Sequence, residues 1–276
     1  MYESDDTARI YFHGVPGGPG ETMAVSSGAS MFEHRHYAPN RNQINKGACL
    51  TKHFDLLALD IGNRFPRTPI RFVGFSLGAY VALEVAHRMG PHVTSIDLVS
   101  AAAPLTTGDY LSGMAGESVF RSARRSEVIL QAMVALQSLA VRVWPTLLFK
   151  ELFRTAQGAD RALANKLEFR AAIVRTLKDC FAGDTLNYRR ELAGYVRDWS
   201  AILPQIKQPV ALWHGDVDNW APPAMAHALS RLLPNVTAVH MLKDQSHYST
   251  LQTYLSQVDR DGRSRSSGFE GSASAL

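Results

Sequence analysis

Val73-Gly74-Phe75-Ser76-Leu77-Gly78-Ala79 is the stretch on which the reading of this 276-residue chain turns. Ile70-Arg71-Phe72-Val73 before it has the length and apolar content of a buried strand. Leu77, Val81, Ala82, Val85, Ala86 and Met89 after it recur at helical spacing. A strand thus runs into G-x-S-x-G and straight out into a helix, the context that motif needs to present a serine at a sharp turn. Gly74 and Gly78 let strand and helix approach closely, Ser76 takes the tip as candidate nucleophile, and the backbone N–H of Leu77 is placed to meet a developing oxyanion. A small-residue turn without chemistry is the bland alternative, so the rest of the chain has to supply partners.

Upstream, Ala8–Phe12 reads as a strand opening into His13-Gly14-Val15-Pro16-Gly17-Gly18-Pro19-Gly20. Four glycines and two prolines in that run exclude helix and strand and leave a stiff loop. A phosphate loop is disfavoured, because the Lys-Ser/Thr pair is absent and Pro16 and Pro19 lack N–H donors. The loop is better read as the second half of an oxyanion hole, with Gly14 shaping it and the N–H of Val15 facing that of Leu77. His13 is expected to bond within the loop. His34 and His36 form an H-x-H without further ligand spacing, so a surface pair is expected rather than a metal site.

Downstream the pattern alternates. Phe54–Asp60 reads as a buried strand, Val93–Ser100 as the strand after the serine's helix, Pro209–Trp213 as a late strand and Val236–Leu242 as the last. Between Leu105 and Leu203 only helical patches occur, at 126–143, 145–156, 159–180 and 185–199, which are expected to form a cap. Its Phe120, Met133, Trp144, Phe149, Phe153 and Phe181 either line an apolar pocket or pack the cap on the core. The expected organisation is a core over 1–105, a helical cap over 106–203, core again over 204–257 and a disordered tail over 258–276. His214-Gly215-Asp216-Val217-Asp218 follows the late strand, and His247 follows the last one. Serine, acid and histidine therefore come in the chain order that accompanies a strand–turn–helix serine.

These motifs, HGVPGGPG, GFSLGA, HGDVDNWAP and SHYSTL, resemble those of the α/β-hydrolase superfamily in order, over roughly residues 9–257. The first resembles the proline iminopeptidase branch. The resemblance implies an α/β fold with a mostly parallel sheet flanked by helices. It implies Ser76 as nucleophile, His247 as general base and acid, Asp218 as orienting carboxylate, and Val15 and Leu77 as oxyanion donors. Asp218 is favoured over Asp216 because the family's acid stands three after a glycine and four before a proline, here Gly215 and Pro222. Two departures stand out. The family has two strands before the one carrying the HG loop, yet eight residues precede Arg9. Nine residues separate Asp60 from Ile70, too few for a crossover helix. The N-terminal strands and one crossover helix are therefore expected to be missing, leaving Phe54, Leu56 and Leu57 uncovered and inviting instability or self-association.

Composition sets the remaining limits. A net charge of +4, with no basic stripe interleaved with aromatics, argues against nucleic acid. Cys49 and Cys180 are too few for a disulfide framework, and the polar acidic start shows no signal peptide, so a cytoplasmic protein is expected. Residues 128–141 are the most apolar helical stretch, but Gln131, Gln137 and Arg142 interrupt it, so neither a membrane span nor a membrane partner is expected. The expected activity is a serine esterase acting on a small-molecule ester of a small to medium acyl group, without metal or cofactor. Alternatives are an aminopeptidase or amidase of the proline iminopeptidase type, a lactonase, or a non-catalytic binding protein on the same fold. The aminopeptidase would need acids in the cap, for which Asp179, Asp184, Glu191 and Asp198 are the candidates.

Overall fold

Among the described residues, six parallel strands form one sheet in the order β2-β1-β3-β4-β5-β6. They are β1 (Ala8–Phe12), β2 (His36–Tyr37), β3 (Ile70–Phe75), β4 (Val93–Val99), β5 (Val210–Gly215) and β6 (Val236–Leu242). The structure is a computed structural model that describes residues 7–26, 36–44, 49–181 and 183–270, the last ten by backbone only. Because side chains alternate along a strand, β3 serves two layers. Gly74 faces α2 (Gly78–Met89), where an added Cβ would stand 2.7 Å from the Cα of Ala79. Arg71 faces the other way, where it pairs with Asp97 of β4 at 2.6 Å. Asp97 also accepts the hydroxyl of Tyr254 at 2.7 Å, and so ties the sheet to α10 (His247–Glu270).

The expected strand at Phe54–Asp60 is instead the middle of a helix, α1 (Leu50–Arg64), packed on α2. Phe54, Leu57 and Ile61 stand at i, i+3 and i+7 and are buried, while Leu59 between them is exposed. Reading only as far as Asp60 hides this face, because Ile61 lies beyond it. The strand before the crossover is β2, whose two residues pair with Arg9 and Ile10 of β1. The crossover helix is therefore present; of the residues expected to be uncovered, Phe54 and Leu57 lie on its buried face and Leu56 is half-buried. Gly62–Pro66, which reads as the end of a helix, is the end of this one: the N–H of Phe65 bonds to the carbonyl of Ile61. Among the described residues no strand precedes β1.

Between β4 and β5 come α3 (Glu117–Arg125), α4 (Glu127–Val143), α5 (Pro145–Leu152), α6 (Asp160–Asn165), α7 (Leu167–Phe181) and α8 (Leu186–Tyr195). After β5, α9 (Pro223–Leu232) packs on that strand. His247 does not lie in a loop but opens α10, and this helix continues over 258–270, where a tail is expected from sequence. Among the described residues no helix is long and apolar enough to cross a membrane.

The exposed Leu59 lets the helical state of this segment be tested without touching the core. Leu59→Pro should cost about 3 kcal/mol, because proline removes a helical N–H and clashes with the preceding turn. Leu59→Glu should lie within about 0.5 kcal/mol of the parent. Urea melts of both variants decide it; equal effects would return the segment to an edge-strand reading.

Candidate active site

Ser76 sits at φ 56°, a left-handed conformation that a side chain rarely adopts. The turn is held from the neighbouring strand: Ser76 N–H donates to Val99 at 3.0 Å, and its carbonyl accepts from Ala102 N–H at 3.1 Å. A Cβ on Gly78 would collide with the carbonyl oxygens of Phe12 and His13, so α2 starts in contact with the end of β1. That contact brings the glycine loop to the serine, and a Cβ on Gly14 would lie 3.3 Å from that of Ser76. Val15, Ser76 and Leu77 line one cavity of about 60 Å³, walled by Phe120 of α3, Gln137 of α4 and Trp220. Of the six cap residues named from sequence, Phe120 alone lines it. Phe149, Phe153 and Phe181 are buried in packing, and Trp144 is exposed. A larger cavity of about 270 Å³ lies between β1, β2 and α10, and none of the candidate residues borders it.

Asp218 and His247 meet behind Trp220 of the Ser76 cavity wall; neither lines that cavity itself, and no hydrogen bond joins His247 to Ser76 among the described residues. His247 Nδ1 donates to Asp218 Oδ2 at 2.8 Å, both side chains buried. The other carboxylate oxygen accepts the N–H groups of Trp220 at 2.8 Å and Ala221 at 3.0 Å. Asp216 is exposed and makes no such contact. Burial works against the charge on Asp218, yet the facing His247 outweighs it and the carboxyl is held below its usual range. Burial pushes His247 down, but the charge and hydrogen bond of Asp218, with smaller help from Asp160 and Glu21, raise it above the ordinary histidine value. The imidazole stacks on the Trp220 indole at 5.4 Å between centroids and packs against Phe75 at 4.7 Å.

Three buried charges that the sequence does not single out hold this arrangement. Glu21 accepts the N–H of Gly14 at 2.7 Å and the hydroxyls of Tyr11 and Tyr248 at 3.0 and 3.3 Å. Burial still raises its carboxyl above the usual range. Asp160, from α6, accepts the N–H groups of Tyr248 and Ser249 at 3.0 and 2.7 Å and so caps the helix that His247 begins. Arg41 donates to both oxygens of Glu191 and, at 2.9 Å, to the carbonyl of His13. Burial alone would raise Glu191, but Arg41 and His53 bring it down to about 2. Burial and Arg41 push His13 down to about 3, so it is neutral, and its Nδ1–H donates to Gly14 at 2.8 Å within the loop. None of Asp179, Asp184, Glu191 and Asp198 lines the Ser76 cavity. His36 belongs to β2, His34 lies outside the described residues, and no metal-binding cluster occurs among the described residues.

The family model described as "Lipid-droplet associated hydrolase" matches residues 11–249, nearly the whole described core and every candidate residue above. The chain belongs to the lipid-droplet associated hydrolase family. No curated protein matches it. Among solved structures it is similar to a thermophilic esterase from Thermogutta terrifontis, with 20% identity, 94% of this chain and 88% of that one covered, and a TM-score of 0.62. It is also similar to a lipase-esterase related protein from Clostridium acetobutylicum, with 13% identity, 95% and 96% covered, and a TM-score of 0.63. An esterase from Exiguobacterium antarcticum gives 13%, 94% and 93%, and 0.58. At these identities the likeness is one of fold. The superfamily resemblance carried by the four motifs stands, and the chain has the α/β-hydrolase fold.

Asp160 gives the site its sharpest structural test. Asp160→Ala strands two buried N–H groups at the start of α10, each costing about 1–3 kcal/mol. Asp184→Ala, which loses one exposed bond to Leu186 N–H, should cost no more than about 1 kcal/mol. Denaturant melts of the pair check this, with near-UV dichroism reporting the Trp220–His247 packing.

Proposed function

We propose that this hydrolase is a serine esterase that cleaves carboxylic esters of small to medium acyl groups through an acyl-enzyme. The observation that carries the reading is the 2.8 Å bond between Asp218 and His247 Nδ1 behind the Trp220 wall of the cavity that Ser76 lines. With Nδ1 engaged, Nε2 is the nitrogen left to exchange a proton. Ser76 Oγ attacks the ester carbonyl as its proton passes to His247, and the oxyanion forms against the N–H groups of Val15 and Leu77. Collapse expels the alkoxide, which takes the proton from His247 and leaves as the alcohol. Water then attacks the acyl carbon, gives its proton to His247, and the acid departs as Ser76 recovers it.

The wall of the cavity favours an acyl group over a charged one: Val119, Phe120, Leu152 and Leu192 face it, with Gln137 as one polar group. An ester substrate suits a family named for its association with lipid droplets. The aminopeptidase alternative lacks its recognition element, because Glu191, the buried acid among the four candidates, is spent on Arg41 and His53.

A fluorophosphonate should label the protein at Ser76, and Ser76→Ala should abolish both labelling and turnover of p-nitrophenyl esters. Labelling that survives in Ser76→Ala would assign the nucleophile elsewhere. A panel of graded acyl chain lengths beside proline p-nitroanilide separates esterase from aminopeptidase.

Asp218→Asn should lower kcat by about 10⁴, whereas Asp216→Asn, at an exposed position, should leave it within a few-fold. Below its pKa His247 carries a proton and cannot accept that of Ser76. kcat/KM should therefore rise with pH, with its midpoint above the ordinary ~6.5 of histidine. A midpoint below that value would show that burial, not Asp218, governs the imidazole.

A further inference from the structure

Glu21 is a wholly buried carboxylate, and no cation pairs with it among the described residues. Its partners are neutral donors. Oε2 accepts the N–H of Gly14 at 2.7 Å and the hydroxyl of Tyr11 at 3.0 Å, and Oε1 accepts the hydroxyl of Tyr248 at 3.3 Å. Burying a charge without an opposite charge beside it is costly, and an apolar side chain of similar size would fill the space without that cost. A carboxylate in this place points to a task other than stability.

What the carboxylate grips shows the task. The peptide joining His13 to Gly14 is held at both ends: Arg41 donates to its carbonyl at 2.9 Å, and Glu21 accepts its N–H. The next peptide, Gly14 to Val15, is held at its carbonyl by His13 Nδ1–H at 2.8 Å. A trans peptide is planar, with its C=O and N–H on opposite sides, so fixing that carbonyl fixes the direction of the Val15 N–H. A Cβ on Gly14 would lie 3.2 Å from Glu21 Oε1 and 3.3 Å from Ser76 Cβ, so carboxylate and serine flank the same bare Cα. Through Tyr248, the neighbour of His247, the same carboxylate also reaches the helix that carries the imidazole.

We propose that Glu21 is a positioning residue for ester cleavage: it holds the turn at Gly14 so that the Val15 N–H is aimed at the oxyanion. The proposal rests on the esterase reading. Glu21 does not line the Ser76 cavity, so it acts through the loop and not on the substrate. Its loss is felt where negative charge develops, in the transition state, and not in ground-state binding. Glutamine meets the same demands. Its carbonyl oxygen, in place of Oε2, accepts from Gly14 and Tyr11, and its amide N–H, in place of Oε1, donates to the Tyr248 oxygen. Aspartate, one methylene shorter, cannot keep Gly14 and Tyr248 together within bonding distance.

The test compares Glu21→Leu, Glu21→Asp and Glu21→Gln in the full chain. It reads kcat and KM for a p-nitrophenyl ester, and inhibition by an alkylboronic acid, which adds to the serine and sets an oxygen where the oxyanion forms. Glu21→Leu should lower kcat about 10²-fold, the loss that goes with one misplaced oxyanion donor. KM should stay within a few-fold, and boronic acid affinity should fall with kcat. Glu21→Asp, which keeps the site polar and gives a second reading should the leucine variant not fold, should lose kcat about tenfold in the same pattern. Glu21→Gln should recover most of the loss in both readouts. A folded Glu21→Leu or Glu21→Asp with parental kcat would overturn the proposal, as would a loss carried by KM or an unchanged boronic acid affinity. A glutamine variant as impaired as the leucine one would also overturn it. A parent that neither turns over esters nor takes up a fluorophosphonate overturns the esterase reading, and this proposal with it; that failure is seen in the parent, the others only in the variants.

Discussion

The contact on which the structure depends is the one between Gly78 and the carbonyls of Phe12 and His13. It is possible only without a Cβ, and it lets the first turn of α2 sit directly on the end of β1. Everything at the candidate site is measured from there. The glycine loop leaves β1 at that point and can only pass beside Ser76, so Val15 and Leu77 line one cavity from segments about sixty residues apart in the chain. The left-handed backbone of Ser76 costs about 1–3 kcal/mol. It persists because β4 grips the turn through Val99 and Ala102, and because Gly74 lets α2 close down on β3.

Around that turn the fold buries carboxylates and satisfies each in a different way. Asp218 faces an imidazole and is held low; Glu21 and Asp160 face hydroxyls and N–H groups and remain raised by burial. The distinction is between a partner that carries charge and one that only donates a hydrogen bond. Its consequence for stability has opposite signs. The raised pair favours the protonated form in the fold, so its contribution is complete below the unfolded pKa and is lost as pH rises through the folded value. Asp218 contributes above its unfolded pKa, and that contribution is lost as pH falls through its folded value. The acids that position the glycine loop and α10 therefore oppose, in their pH dependence, the acid that faces His247.

How much of this is legible in sequence follows from the range of each interaction. The turn at Ser76 is local: strand periodicity, two glycines and helical periodicity lie within twenty residues, and the chain order of Asp218 and His247 follows strand ends that are themselves apolar runs. Helix α1 is local too, yet its stretch Phe54–Asp60 is so rich in apolar residues that a period of two and one of 3.6 fit equally over seven positions. Only Leu50 and Ile61, outside that window, decide for the helix. Strand β2 is two residues long and leaves no period at all. Glu21, Arg41 and Asp160 bond to partners up to 227 residues away, and no spacing rule marks a carboxylate whose partners are backbone N–H groups of another element. They are visible only once the glycine loop, the cap and α10 are folded together.

The cap shows the limit of reading burial from hydropathy. In α4, Gln131, Gln137 and Arg142 interrupt the apolar run, and that suffices to exclude a bilayer span. It does not say which apolar residues are interior. The structure divides the polar residues by function: Gln137 turns to the Ser76 cavity, while Gln131 and Arg142 lie at solvent among exposed apolar neighbours. A helix needs one apolar stripe to pack a cap onto its core, and Leu130, Val134 and Val141 supply it. The leucines and valines opposite add nothing to that packing and carry a solubility cost. Hydropathy along the chain cannot separate the two sides, because both are built from the same leucines and valines; only the packing of the cap on the core does.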